Sequence, residues 1–520
     1  MKALLLFTVV FVGLLGVNAA PNPYETSGVL QSNGRIDELV FEHLKQLNIL
    51  PALNCSDAVF VRRVFLDVIG TLPTAAEVKT FLANKSPDKR RVLIDDLLTR
   101  DEFADYWAMK WSDLLRVKAE YPINLWPNAA QAYHRWIVDS LHSNKPFDQF
   151  ARELLTGNGS NFRVGPVNFY RALQSRDPKA VARTVALTFM GARAEKWPDV
   201  QLAGLAGFFT QIGYKNTGEW KEEIVFFDPS KTSPAGLLPP SFPDGNVAKF
   251  TSDRDPREVF ADWLIDPKNP WFTRAIANRV WFWLIGCGIV QEPDDFRADN
   301  PPTNPELLAY LADQLAAQHY DLKELFRLIL NSQTYQLSCV SRSDKPEAIA
   351  NFAFYPLRRL DAEVLIDALN EITGATDKYS SAIPEPYTYV PEDVRSISLP
   401  DGSITSSFLE MFGRPPRDTG QELERNNKIT ATQRLHLLNS SQIQRKLEQG
   451  PKLQALLLEH QKRPREIVDV LYLTILSRYP TDAERQSVLL YSQTAKIGPR
   501  QTALDLAWAL INSAEFLHRH

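Results

Sequence analysis

The sequence predicts a mainly α-helical protein of two packed helical domains, with small β elements near a linker and in the second domain. Three observations carry that expectation. Helix-start signals recur along the chain, strand-like patches are few, and one Pro-rich stretch interrupts the periodicity. At 520 residues the chain exceeds one ordinary core, and 44% hydrophobic with 23% charged residues is the composition of a folded protein.

Residues 1–19 read as a signal peptide. Lys2 supplies a positive start, Ala3 to Val17 are almost unbroken apolar residues, and Val17-Asn18-Ala19 places small residues at a cleavage site. The run is shorter than the roughly 20 residues that cross a bilayer. Cleavage is therefore expected, leaving an extracytoplasmic chain, periplasmic or secreted. Phe272 to Val290 is the most apolar later segment, but Arg274, Asn278 and Arg279 interrupt it, so no membrane span is expected after cleavage.

The first helical domain is expected over 30–222. Ser86-Pro87 reads as an N-cap with Pro at the first helical position. A Pro-rich linker with short strands follows over 223–250, carrying Ile224 to Phe227 and then Pro229, Pro234, Pro239, Pro240 and Pro243. The second helical domain is expected over 251–520. Asp255-Pro256, Asn304-Pro305, Asp321 to Glu324 and Thr481 to Glu484 open its helices. Ser396 to Leu399 is its best strand, inside an irregular, aromatic stretch from Ala375 to Asp401 that reads as an ordered surface loop. Val64 to Glu77 and Leu471 to Glu484 echo each other at equal spacing, as do Asn331-Ser332 with Tyr335 and Asn512-Ser513 with Phe516. Each first-echo segment has the grammar of a buried helix, a turn stopped by Pro, and a capped helix.

Net charge is −4, from 58 basic and 62 acidic residues, which gives no reason to expect nucleic acid as a partner. Cys55, Cys287 and Cys339 are the whole cysteine supply. They leave room for one disulfide, with pairing of Cys287 and Cys339 open. No Cys-x-x-Cys-His is present, which excludes a covalent c-type haem, and no cofactor is expected.

Several constellations are candidates for chemistry. Trp111 and Asp113 lie on one predicted helix, with Arg116 three residues after Asp113 and within reach of it. Arg135 and Trp136 lie on the next. These suggest either an aromatic, charged sugar cleft or an amphipathic helix pair. Gly157 to Asn161 reads as a tight turn rather than a phosphate loop. Asn278 and Arg279 interrupt an otherwise apolar helix, and a buried Arg needs a partner. Asp294 or Asp295 would supply it. With Asp113, these two are the candidate catalytic carboxylates, and Asp294, Asp295 and Asp299 are weak metal candidates lacking EF-hand spacing. Asn278, Arg279, Arg297, Arg358, Arg359, Arg414 and Arg417 are candidate ligand-binding residues; the Arg358-Arg359 and Arg414-to-Arg417 clusters suit clamping a carboxylate or sulfate, and ion-pair networks between the domains explain them as well.

Arg62-Arg63-Val64-Phe65-Leu66-Asp67-Val68-Ile69-Gly70-Thr71-Leu72-Pro73-Thr74 resembles the opening of a secreted domain of unknown function, the second planctomycete cytochrome-associated type. Tyr133 to Phe150 resembles its next block. Asp255-Pro256-Arg257, Ala277 to Trp281, Asp294 to Arg297, Tyr320 to Gln336, Arg358 to Glu363, Phe412 to Pro415 and Leu437 to Asn439 resemble the first planctomycete secreted domain. The resemblance implies an extracytoplasmic protein of unsettled activity. Many relatives carry Cys-x-x-Cys-His before the helix that here reads Leu202 to Phe209. Here Met190 to Trp197 runs straight through, and Gly420 to Arg425 replaces a second Cys-rich segment.

The leading reading is a binding or accessory protein of the cell envelope, with a polysaccharide or another secreted envelope protein as its partner. The alternative is a carboxylate-based hydrolase or lyase acting on an extracellular polymer. A third reading is a haem-less relative of a redox protein. Oligomeric state is not legible.

Overall fold

The computed structural model describes residues 22–26, 28–231, 238–460 and 463–520. The expected signal peptide lies outside them. Among the described residues there are twenty-two α-helices, six short 3₁₀ helices and five short strands. The fold is mainly α, as the periodicity predicts.

Local chemistry sets many helix starts. Thr74 and Thr481 each close a reciprocal capping box, with Glu77 and Glu484 respectively. Asp255, Asn304 and Asp321 accept backbone N–H bonds at their helix starts. Two expectations are corrected. Ser86 is not the cap: its hydroxyl accepts from the Asp88 N–H, and the helix begins at Lys89. Ser396–Ser398 is a 3₁₀ turn, not a strand. The buried Asp367 carboxylate accepts from the N–H groups of Ser396 and Ile397, and those bonds hold the turn.

Gly159–Ser160, Ile212–Asn216 and Glu223–Phe227 form an antiparallel sheet with the last strand in the centre. Gly157 to Asn161 is not the expected tight turn: Gly159 and Ser160 are a strand, and the turn comes after them, where Arg163 and Val164 N–H groups donate to the Ser160 carbonyl. Asn158 Oδ1 accepts from Phe227 N and from the Arg257 guanidinium, so it serves the fold. Arg358–Arg359 pairs with His518–Arg519 in a second, two-stranded sheet.

Buried apolar residues from the first and second halves of the chain join in one core. Trp107 packs 5.1 Å from Trp283 and 4.5 Å from Phe326, so an aromatic cluster spans the halves. The sequence echoes meet there too. Arg62 donates to the carbonyls of Ile475 and Phe516, while its neighbour Arg63 donates to that of Tyr335. Tyr335 and Phe516 hold equivalent places in the second echo. Gly70 and Ser477 hold equivalent places in the first, and both are left-handed, at φ 60° and 59°.

Candidate functional site

Most of the charged candidates converge in a buried network between the halves. Asp113, on the helix Asp101–Leu114, does not pair with Arg116. Its carboxylate takes Arg417 at 2.9 Å and Arg425 at 2.6 Å, because the loop after Pro415 folds across that helix. Arg425 also reaches Glu363 at 2.7 Å, and Arg414 lies 3.4 Å from the same carboxylate. Asp361 accepts from Lys110, Arg519 and Asn427. Burial alone would raise the Asp361 carboxyl, but Lys110, Arg519 and Arg425 hold it well below the usual carboxylate range. Arg358 caps the helix Phe272–Ile285 through the carbonyls of Trp283 and Leu284 and lies 3.4 Å from Asp67. Gly286, at φ 98°, is needed there because a Cβ would strike the Arg358 side chain. Arg359 is spent on the carbonyls of Phe412, Asn426 and Asn427.

A second centre adjoins the first. Arg279 and Asp294, both 1% exposed, pair at 2.7 Å, so Asp294 rather than Asp295 is the partner the buried Arg requires. Asn278 brackets Val290 with two hydrogen bonds. The other Asp294 oxygen accepts from the Glu422 N–H, and Glu422 accepts from the Trp283 indole at 2.8 Å. Burial and the neighbouring Asp294 push the Glu422 carboxyl up to about 7. Glu422 was not among the sequence candidates. Its partners are 128 and 139 residues away, and its segment has no periodicity to mark it.

Asp295 and Asp299 do not join Asp294. Asp295 pairs with Lys196 and Arg297, and Asp299 pairs with Arg297. Among the described residues no group of three or more His, Cys, Asp or Glu side chains is placed to hold a metal ion. Cys55, Cys287 and Cys339 are all unpaired, so no disulfide joins Cys287 to Cys339.

A family model described as PSCyt2, a protein of unknown function (DUF1549), matches residues 35–197, and one described as PSD1, a protein of unknown function (DUF1553), matches residues 256–491. The chain belongs to these two families, in that order. No curated protein and no solved structure matches it. The ion network is where the two parts meet. Lys110 and Asp113 come from the PSCyt2 part; Asp361, Glu363, Arg417 and Arg425 come from the PSD1 part. The segments 190–197 and 420–425 flank one stretch of the PSD1 part. Gly191 O accepts from Phe296 N, while Glu422 N donates to Asp294.

The remaining candidates divide. Trp111 is buried against Phe147, Phe150 and Trp283. Trp136 is half-buried, stacked on Phe150 with its indole donating to Glu153. Arg135 alone among the candidate cations faces solvent without a carboxylate partner among the described residues. It lies with Asn128 and Gln131 on one face of the helix Pro127–His142. That face lines an open cleft of about 470 Å³, with Phe162, Arg163, Glu219, Tyr387 and Tyr389 opposite.

Phe162, Tyr387 and Tyr389 are the aromatic residues lining this cleft. Tyr387 and Tyr389 are 50% and 68% exposed, and Trp220 close by is 70% exposed. Trp126 packs 5.3 Å from Tyr387. Its backbone sits at φ 73°, an unusual conformation for a bulky residue and one that collects at functional sites. Lys221 lies over both Trp126 and Trp220. The signal that could have found the cleft was the aromatic, Pro-rich loop from Ala375 to Asp401.

Proposed function

We propose that this PSCyt2–PSD1 protein is exported and binds an extracellular polysaccharide in the cleft between Arg135 and Tyr387. The observation that carries this reading is the exposed pair Tyr387 and Tyr389 lining the cleft with Asn128, Gln131, Arg135 and Glu219, with the exposed Trp220 next to Glu219 in the chain. A sugar ring has an apolar C–H face and a rim of hydroxyls. Exposed rings beside amide and charged side chains complement both, and the hydration of large exposed rings makes covering them favourable. The open ends of the cleft suit a polymer rather than a small enclosed metabolite. Export is supported by the charged, apolar and small-residue pattern over residues 2–19. Among the described residues no helix is long and apolar enough to cross a membrane.

Affinity electrophoresis through gels holding different soluble polysaccharides tests the reading. At least one polymer is expected to retard the mature protein, and Trp220→Ala with Tyr387→Ala and Tyr389→Ala is expected to abolish retardation. Equal mobility in every gel, or undiminished retardation of the triple variant, would contradict it.

Acid–base chemistry is the second reading, favoured by one observation: Glu422, held near neutrality, beside Asp294 and Arg279. Glu422→Gln would abolish turnover of a polymer substrate while leaving the fold intact; full turnover by that variant would remove this reading.

A further inference from the structure

The cleft beside Arg135 carries charge as well as rings. Its lining holds two guanidinium groups, Arg135 on the helix wall and Arg163 opposite, and one carboxylate, Glu219. Gly165 explains why the two walls stand close. A Cβ there would fall 2.4 Å from the Trp136 Cβ and 2.7 Å from the Ala132 carbonyl oxygen. The chain two residues after Arg163 therefore lies directly on the helix, against the residue that follows Arg135.

Neither arginine is spent on the fold. Arg135 has no carboxylate within ion-pair distance among the described residues, Asp139 one turn further along its helix included. The Arg163 side chain is 75% exposed and lies 3.6 Å from Glu222. That contact is loose, because the two Glu222 oxygens already accept from the hydroxyls of Ser160 and Thr217. Lys221 adds a third cation, over the rings of Trp126 and Trp220, and Trp126 in turn packs on Tyr387. Two exposed carboxylates stand on the other side of the balance, Glu219 in the lining and Glu385 next to Pro386 in the chain. Neither takes one of these cations as an ion-pair partner among the described residues.

Charge and ring faces together discriminate among polysaccharides. A neutral polymer would use the rings and the amides of Asn128 and Gln131 and leave both guanidinium groups facing water. A cationic polymer would meet two guanidinium groups for one carboxylate in the lining. A carboxylate or sulfate ester presents the paired oxygens that a guanidinium fork binds bidentately. Glu219 among them suits a sugar hydroxyl, which can donate to it. Each exposed ion pair contributes little alone, but a polymer that repeats its charged group engages several cations at once.

We propose that the cleft selects an acidic polysaccharide, whose carboxylate or sulfate groups are held by Arg135 and Arg163 while its sugar faces lie on Tyr387 and Tyr389. This rests on the polysaccharide reading above and adds the charge of the polymer. Affinity electrophoresis of the mature protein through paired gels tests it. One pair sets polygalacturonate against its fully methyl-esterified form, and the other sets a sulfated galactan against the same galactan desulfated. At least one charged polymer is expected to bind roughly tenfold more tightly than its neutral partner, and the pair that does so tells carboxylate from sulfate. The net charge of −4 has the sign of these polymers, so general attraction does not produce that difference. Arg135→Gln with Arg163→Gln should abolish the preference and leave the unfolding midpoint unchanged, since both side chains are exposed. Equal retardation by charged and neutral partners, or a preference undiminished in the folded double variant, would overturn the acidic selectivity. If Tyr387→Ala with Tyr389→Ala then still abolishes retardation, the cleft reading stands without it; no retardation in any gel removes both.

Discussion

The buried network around Asp361 and the open cleft beside Arg135 are built from the same residue types, arginines among aromatic rings, and do opposite things with them. In the network each carboxylate is shared by two or more cations, and the rings are packed away as core. In the cleft Arg135 is unpaired and Tyr387, Tyr389 and Trp220 turn outward. The lesson is that arginine and aromatic content does not by itself locate a binding site. What separates the regions is whether the cations are buried and already engaged by internal partners. By that measure Arg279, Arg358, Arg359, Arg414 and Arg417 hold the fold, and Arg135 remains available for a ligand.

The largest effect should come from emptying a shared carboxylate. Asp361→Ala leaves Lys110, Arg519 and Arg425 around a missing charge, and should cost about 3–5 kcal/mol in a denaturant titration. The Asp361 contribution is present above the ordinary carboxylate range and is lost as pH falls through its depressed value. Glu422 runs the other way. Its carboxyl is raised to about 7 by burial and Asp294, so its contribution is complete below the ordinary carboxylate range and declines as pH rises through neutrality. Wild type should therefore lose stability relative to Glu422→Gln between about pH 4.5 and 7, and no further above that. Parallel pH curves for the two would break the assignment.

Effects shrink at the cleft, where stability and binding should separate. Tyr387→Ala and Tyr389→Ala should each change the unfolding free energy by no more than about 0.5 kcal/mol, since both rings are exposed. Arg135→Ala should be similarly mild in stability and weaken polymer binding roughly tenfold, about 1.4 kcal/mol. A large stability loss at either site would erase the distinction drawn between the two regions.

Legibility followed the range of the interaction. The capping boxes at Thr74 and Thr481 were readable because their partners lie nearby in the chain. The echo of Val64 to Glu77 in Leu471 to Glu484 was readable as spacing, and it holds down to the left-handed turn shared by Gly70 and Ser477. The copies nonetheless diverge where it matters. Asp67 of the first accepts from Tyr335 and Tyr355 inside the network, while Thr474 stands at its place in the second. The pairing of Asp113 with Arg417 and Arg425, rather than with Arg116, was beyond local reasoning, because those arginines arrive from three hundred residues away. Glu422 was hidden for the same reason. Ser396 misled because a carboxylate 29 residues back dictates its turn. Exposure decides the cleft, and no spacing rule distinguishes the outward Tyr387 from the buried Tyr379.

The central claim is that the cleft, and not the ion network, is where this protein meets its ligand. The most direct measurement is calorimetric titration of the mature protein with a polysaccharide that retards it in gels, repeated on the Trp220→Ala, Tyr387→Ala, Tyr389→Ala variant with its unfolding midpoint recorded alongside. Saturable heat in wild type, no heat in the variant and an unchanged midpoint are the predicted result. Undiminished binding by a folded variant would contradict the account.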